Sequence, residues 1–276
     1  MIALTKSRLR FPELTYANEN HAPLTRWFIQ AIERLSGREH YAALYDFWRS
    51  NVVPSRDRVF ARMLELVGIG LDRAGEWPPQ HVPDGPLVVM ANHPFGIGDG
   101  IAILSLVETL GRPFRVMINA DLLKIPEIAP YALPVDFSET REAMAANLAV
   151  RHESLRLLKD GTIIVVFPAG GVATAPKGFG RAADLPWKVF PARLVREARA
   201  NVIPMYFEGQ NGRLFHLASR VSLTLRLSLL IREFTRLRGR TIRVRVGAPI
   251  PACDLQAIAD RKALLAHLQQ RVLALA

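Results

Sequence analysis

Residues 86–100 read PLVVMANHPFGIGDG. The run from Pro86 to Ala91 is apolar, rich in valine and too short for an amphipathic helix, so it predicts a buried strand. It breaks into a loop in which Pro94, Gly96 and Gly98 separate His93 from Asp99. The spacing puts His93 just beyond a strand end and Asp99 at the start of a helix over about residues 99–110. Folding the loop back would let Asp99 accept a hydrogen bond from His93 Nδ1–H and leave Nε2 free to take a proton from a hydroxyl or amine. The spacing equally fits a plain helix N-cap at Asp99 with His93 as a turn residue.

Working outward, compact apolar runs recur: FRVMIN at 114–119, TIIVVF at 162–167 and VIPMYF at 202–207. Helical stretches separate them, at about 139–159 and 192–200. This alternation predicts an α/β fold, a mostly parallel central sheet flanked by helices, with ligands held by the loops at strand C-termini. A last alternating run, TIRVRVG at 241–247, reads as a half-exposed strand, and Asp254 as the cap of a terminal helix. The first 75 or so residues hold no strand-like run. They show helical periodicity instead, through Leu24, Trp27, Phe28, Ala31, Ile32 and Leu35, then Val59, Phe60, Met63, Leu64 and Val67. A proline-rich junction near 80–86 completes the expectation of an N-terminal helical extension over 1–80 and one α/β unit over 81–276.

Three further segments could serve a ligand. Phe167, Pro168, Ala169, Gly170 and Gly171 end a strand in a turn whose adjacent glycines allow backbone N–H groups to approach an anion, or simply make the turn. Glu208, Gln210 and Asn211 follow a strand that Pro204 is expected to interrupt. From Arg213 to Arg245 there are nine arginines and one acid, Glu233, interleaved with VSLTLRLSLLI. That mixture suits either a core helix with a basic outer face or contact with an anionic bilayer.

Composition narrows the classes. The chain has 276 residues, 36 Lys and Arg against 25 Asp and Glu, and a net charge of +11. That excess attracts anionic partners. Cys253 is the single cysteine, which excludes an internal disulfide framework and a multi-thiolate site and suits a reducing compartment. The seven histidines are scattered without HExxH spacing, so no metal is expected. Neither a Walker A pattern nor GxGxxG occurs, and the arginine-rich stretch lacks zinc-finger or RNA-binding-sheet patterning, so nucleic acid is not expected. The first 20 residues lack a signal-peptide core and no apolar run is long enough to span a bilayer, which implies a cytoplasmic protein.

Taken in order, NHPFGIGDG, INADLLKIPEIAPYALPVDF, VVFPAGGVATA and VIPMYFEGQNGRLFHLA resemble four blocks of the lysophospholipid acyltransferase (PlsC-like) superfamily. TYANENHAPLTRWFIQAIERLSG and RLRGRTIRVRVGAPI are similar to its bacterial hemolysin-like branch, which includes lyso-ornithine lipid acyltransferases, and the likeness spans nearly the whole chain. The resemblance implies a general base at His93 oriented by Asp99, and acceptor or anion binding at Phe167 to Gly171. It implies transfer of an acyl group from acyl-CoA or acyl carrier protein to a lysolipid, with no cofactor, at the inner face of an anionic membrane. A non-catalytic peripheral lipid-binding protein of the same fold is the alternative. Two departures stand out. Five residues separate His93 from Asp99 where the superfamily usually has four, a longer loop that the hemolysin-like branch shares. Ala169 and Gly171 replace the glutamate and hydroxyl residue of the usual Phe-Pro-Glu-Gly loop, and the second block ends in Pro134, Val135, Asp136 and Phe137 where an arginine is usual. These changes weaken the expectation of lysophosphatidate and favour an amino-acid-containing lysolipid or another lipid hydroxyl as acceptor, although the arginine and lysine supply could still meet a phosphate.

Overall fold

The computed structural model describes residues 11–17, 22–136 and 140–276. The start of the chain, His21, Phe137 and the expected helix start at residue 139 lie outside the described residues. The strands are β1 (Gly70–Ala74), β2 (Leu87–Ala91), β3 (Phe114–Asn119), β4 (Ala132–Val135), β5 (Ile163–Val166), β6 (Asn201–Glu208) and β7 (Thr241–Val246). Helices α1 (Pro23–Leu35), α2 (Arg38–Phe47) and α3 (Val59–Val67) precede the sheet, and α4 (Ile97–Val107), α5 (Arg141–Lys159) and α6 (Phe190–Ala198) connect its strands. Then come α7 (Arg213–Val221), α8 (Leu223–Ser228), α9 (Leu230–Thr235), α10 (Ala252–Gln256) and α11 (Arg261–Leu273).

Strand order is β1-β7-β6-β2-β5-β3-β4. Every pairing is parallel except β6 with β7. β2 lies at the centre of this sheet, and all five of its side chains are buried. Alternation divides them between two layers. Leu87, Val89 and Ala91 pack with Phe60 and Leu64 of α3 and with Ala102, Ile103 and Leu106 of α4. Val88 and Met90 pack with Leu158 of α5, Leu194 and Val195 of α6, and Leu264 and Leu268 of α11. Helices on both faces explain why the run is uniformly apolar, and each such buried side chain contributes about 1.5–3 kcal/mol of transfer free energy.

The structure corrects four readings. The first 75 residues do contain a strand: β1 pairs in parallel with β7 at the sheet edge. Its sequence, GLDRA, shows no apolar pattern because the strand is almost wholly exposed, and charged side chains are usual on edge strands. The terminal helix α11 is capped by Asp260, whose side chain accepts the Ala263 N–H, while Asp254 sits in the first turn of the short α10. Asp99 is not an N-cap, since α4 begins at Ile97 with Gly96 at its cap and Asp99 lies inside the first turn. Pro204 does not interrupt its strand, because β6 runs unbroken through it. Val202 exchanges hydrogen bonds with Ile250, and Pro204 faces the same side, where its carbonyl accepts from Gly247 N–H. Pro204 therefore stands opposite Gly247 just beyond the β7 ladder, and the missing proline N–H removes only the return bond of that one terminal pair.

Candidate active site

The site is built at the C-terminal end of β2. Asn92 leaves the strand and uses both ends of its amide on β6: Nδ2–H donates to Phe207 O at 2.9 Å, and Phe207 N–H donates to Oδ1 at 2.7 Å. This pair fixes the strand end from which His93 projects. The His93 backbone is held from two further sides. Its N–H donates to Asp184 Oδ1 at 3.1 Å, and its carbonyl accepts from Ala173 N–H at 2.7 Å.

The chain then turns through Gly96, at φ 80° and ψ −95°. A Cβ there would come within 3.0 Å of Val172 and 3.1 Å of Leu230, so both the backbone geometry and the packing require glycine. The turn brings Asp99 back beneath His93. Nδ1 lies 2.9 Å from Asp99 Oδ1, with Asp99 fully buried and His93 17% exposed. Neither atom has another hydrogen-bond partner, so each is satisfied only by the other when Nδ1 carries the proton. The second carboxylate oxygen accepts the Phe95 N–H at 2.8 Å, which locks the loop onto the helix. His93 Nε2 bonds to no described residue and is left as the acceptor. Thus the folded-back pair, one of two readings open at the spacing alone, is the arrangement found.

The loop after β5 lies against the histidine. The Phe167 ring stacks on the His93 imidazole at 4.1 Å between centroids and 28° between planes. Gly170 N–H closes a turn on Phe167 O, and Pro168 O accepts Lys188 N–H. Ala169 is buried in the second core layer, so this position packs rather than lining the cleft. The N–H groups of Gly171 and Val172 donate to no described acceptor and remain available to an anion, whereas that of Gly170 is committed to the turn.

Of the other expected residues, Glu208 pairs with Arg245. Gln210 ties down the loop at 180–182, accepting Ala182 N–H and donating to Gly180 O. Asn211 is buried, with Nδ2 unpartnered. Among the described residues, no group of three or more His, Cys, Asp or Glu side chains is placed to hold a metal.

Asp184 was not singled out in the sequence. Its Oδ2 accepts Trp187 Nε1–H at 3.0 Å while Oδ1 holds the His93 backbone. Burial pushes its carboxyl above the usual range, against the lowering effect of the bonds from Trp187 and His93. No local pattern reveals it, because its partner is 91 positions away. Arg226 was counted only as charge. In the structure its guanidinium reaches the same loop, donating to Val172 O at 2.6 Å.

A histidine oriented by a buried carboxylate, at a strand end of a mostly parallel sheet and beside a loop with free backbone N–H groups, is an arrangement able to serve general-base transfer or hydrolysis. The comparisons make the class specific. The acyltransferase family model matches residues 21–275, and the chain belongs to that family. Two proteins named lyso-glycine lipid O-acyltransferase are similar to it. The one from Phocaeicola vulgatus is 27% identical over 191 residues, 62% of each chain. That from Bacteroides thetaiotaomicron is 27% identical over 179 residues, 61% of this chain and 62% of its own. The matched stretch therefore spans a little under two thirds of these relatives. The crystal structure of the 1-acyl-sn-glycerophosphate acyltransferase PlsC from Thermotoga maritima superposes with a TM-score of 0.51 at 18% identity, covering 91% of this chain and 93% of that one. The sheet and its flanking helices are thus the PlsC acyltransferase fold.

Proposed function

We propose that the protein is an O-acyltransferase that moves a fatty acyl group from a thioester, acyl-CoA or acyl carrier protein, to the hydroxyl of a lysolipid with an amino-acid headgroup. The observation that carries this reading is the His93 Nδ1 to Asp99 Oδ1 contact of 2.9 Å, which orients Nε2 as a proton acceptor. The acceptor hydroxyl gives its proton to Nε2 as its oxygen attacks the thioester carbonyl. The resulting oxyanion collapses, the carbon–sulfur bond breaks, and the thiolate takes the proton back from the imidazolium. A thioester is activated enough for direct attack, so no covalent enzyme intermediate is needed. Asp99 holds the tautomer and stabilises the imidazolium. The names of the two relatives support an amino-acid headgroup, as do Ala169 and Gly171 in place of the usual glutamate and hydroxyl residue.

Reaching such an acceptor requires a bilayer surface, and one face of the molecule fits it. Of the stripe on α1 that the periodicity marked, Leu24, Trp27, Phe28 and Leu35 are exposed while Ala31 and Ile32 are half-buried, and Leu214, Leu217 and Val221 of α7 and Phe179 are exposed as well. α1 packs on α8, and between α1 and α7–α9 lies an apolar groove of about 510 Å³. Exposed Arg26, Lys177, Arg181, Arg213 and Arg220 accompany these side chains, with no exposed acid at residues 22–36, 176–181 or 213–226. Apolar side chains with basic neighbours suit peripheral docking on anionic lipid at the inner face of a membrane. Among the described residues, no helix is long and apolar enough to cross one.

The test is transfer of labelled acyl groups from acyl-CoA and from acyl carrier protein to lyso-glycine lipid, lyso-ornithine lipid and lysophosphatidate. Transfer to an amino-acid lysolipid is expected, and transfer to lysophosphatidate alone overturns the headgroup assignment. Flotation with anionic liposomes should show association that weakens as salt is raised.

A further inference from the structure

Arg226 sits on α8, outside every motif of the sequence, yet it meets the loop beside the catalytic base. One guanidinium nitrogen donates to Val172 O at 2.6 Å. The same nitrogen lies 3.8 Å from where a Cβ on Gly171 would stand. Val172 adjoins Ala173, whose N–H holds the His93 carbonyl, so the cation is two hydrogen bonds from the base. The Phe215 ring lies 5.6 Å beneath the guanidinium, and burial weakens its hold on the proton. Among the described residues no carboxylate lies within ion-pair distance of it. By contrast Arg236 has Glu233, and Arg245 has Glu208. A partly desolvated guanidinium that spends one of five donors on a carbonyl and has no counter-ion is costly to keep unless an anion arrives.

We propose that Arg226, with the free N–H groups of Gly171 and Val172, forms an anion site that binds the carboxylate or phosphate of the lysolipid headgroup and so selects charged acceptors. This rests on the acyltransferase reading and adds a specificity-determining residue to it. A guanidinium offers a carboxylate or phosphate two parallel donors, and the glycine leaves room for the headgroup to approach.

The experiment is equilibrium binding of lyso-glycine lipid, its uncharged methyl ester and lysophosphatidate to the wild type, Arg226→Ala and Arg226→Lys, below the micellar concentration, with circular dichroism to confirm folding. The wild type should bind a charged acceptor about 10- to 100-fold tighter than the ester, the range of a charge-assisted pair. Arg226→Ala should abolish that preference without weakening ester binding, and Arg226→Lys should restore part of it. A preference for lyso-glycine lipid identifies the carboxylate as the anion, and one for lysophosphatidate identifies the phosphate. No preference in the wild type, or the same preference in Arg226→Ala, overturns the proposal. So does equal weakening of charged and uncharged ligands, which is what a purely structural arginine would give. Because binding is read without turnover, failure of this site is distinct from failure of acyl transfer.

Discussion

The loop at 92–99 and the outer face of α1 and α7 are built for opposite ends. In the loop almost every polar group is spoken for: Asn92 bridges to β6, Asp99 is fully buried against His93 and Phe95, and the backbone of His93 is tied to Asp184 and Ala173. On the outer face, large apolar side chains stand largely open to solvent, with Leu35 at 89% and Leu24 at 78% exposure. A reacting group must be held within a fraction of an ångström, which a network of short bonds achieves. A surface that meets a fluid bilayer needs only exposed apolar area and charge. Rigidity is thus concentrated around His93, and unspent hydrophobicity on the outer face, where the proposed function would have the bilayer dock.

This contrast can be broken at either end. The largest effect is expected on the rigid side. Asp99→Ala leaves His93 Nδ1 and the Phe95 N–H without partners, and acyl transfer should fall by about 10²-fold, the lower end of what a general base contributes. Steady-state rates on a soluble short-chain acceptor would measure it. On the outer face, Trp27→Glu with Leu217→Glu should lower partitioning onto anionic vesicles by at least tenfold, since each removes an exposed apolar contact worth about 1.5–3 kcal/mol if fully buried in lipid. Transfer to a soluble acceptor should survive in that variant, and its loss would show that the face does more than dock.

A third change sharpens the boundary between the helical lead-in and the sheet. Both Glu108 carboxylate oxygens accept N–H groups at the start of α3, from Phe60 and Ala61. Glu108→Ala should cost about 1–3 kcal/mol in denaturant unfolding, because those donors lose their partner. The smallest effect concerns pH. His216 of α7 is buried and accepts the Ala175 N–H, and its pKa is lowered, chiefly by burial and also by Arg226, against Glu233 and a backbone contact with Asn211. The unfolded chain therefore binds more protons below the ordinary histidine value of 6.5, so stability should fall as pH drops through and below that point. Thermal unfolding of wild type and His216→Gln between pH 7 and 5 should show a shallower fall in the variant.

The sheet was readable because its central strands are buried on both faces and must be apolar throughout, as in LVVMA and IIVV. β1 was not, because an exposed edge strand such as GLDRA carries no burial pattern. His93, Asp99 and the loop at 167–171 were legible from their place at strand ends. Asp184 and Arg226 join them only through tertiary contacts, 91 and 54 positions from the residues they bond, which periodicity cannot register. The α1 stripe was visible as a helix, but the same spacing serves a core face and a lipid face, and only the packing tells them apart.

The central claim is that Nε2 of His93 accepts the proton of a lysolipid hydroxyl. It is tested most directly by single-turnover transfer from a radiolabelled acyl thioester to lyso-glycine lipid, comparing wild type with His93→Ala protein that remains folded and vesicle-bound. A loss of about 10²–10⁴-fold is predicted. Transfer at a near wild-type rate by the folded variant would contradict the account.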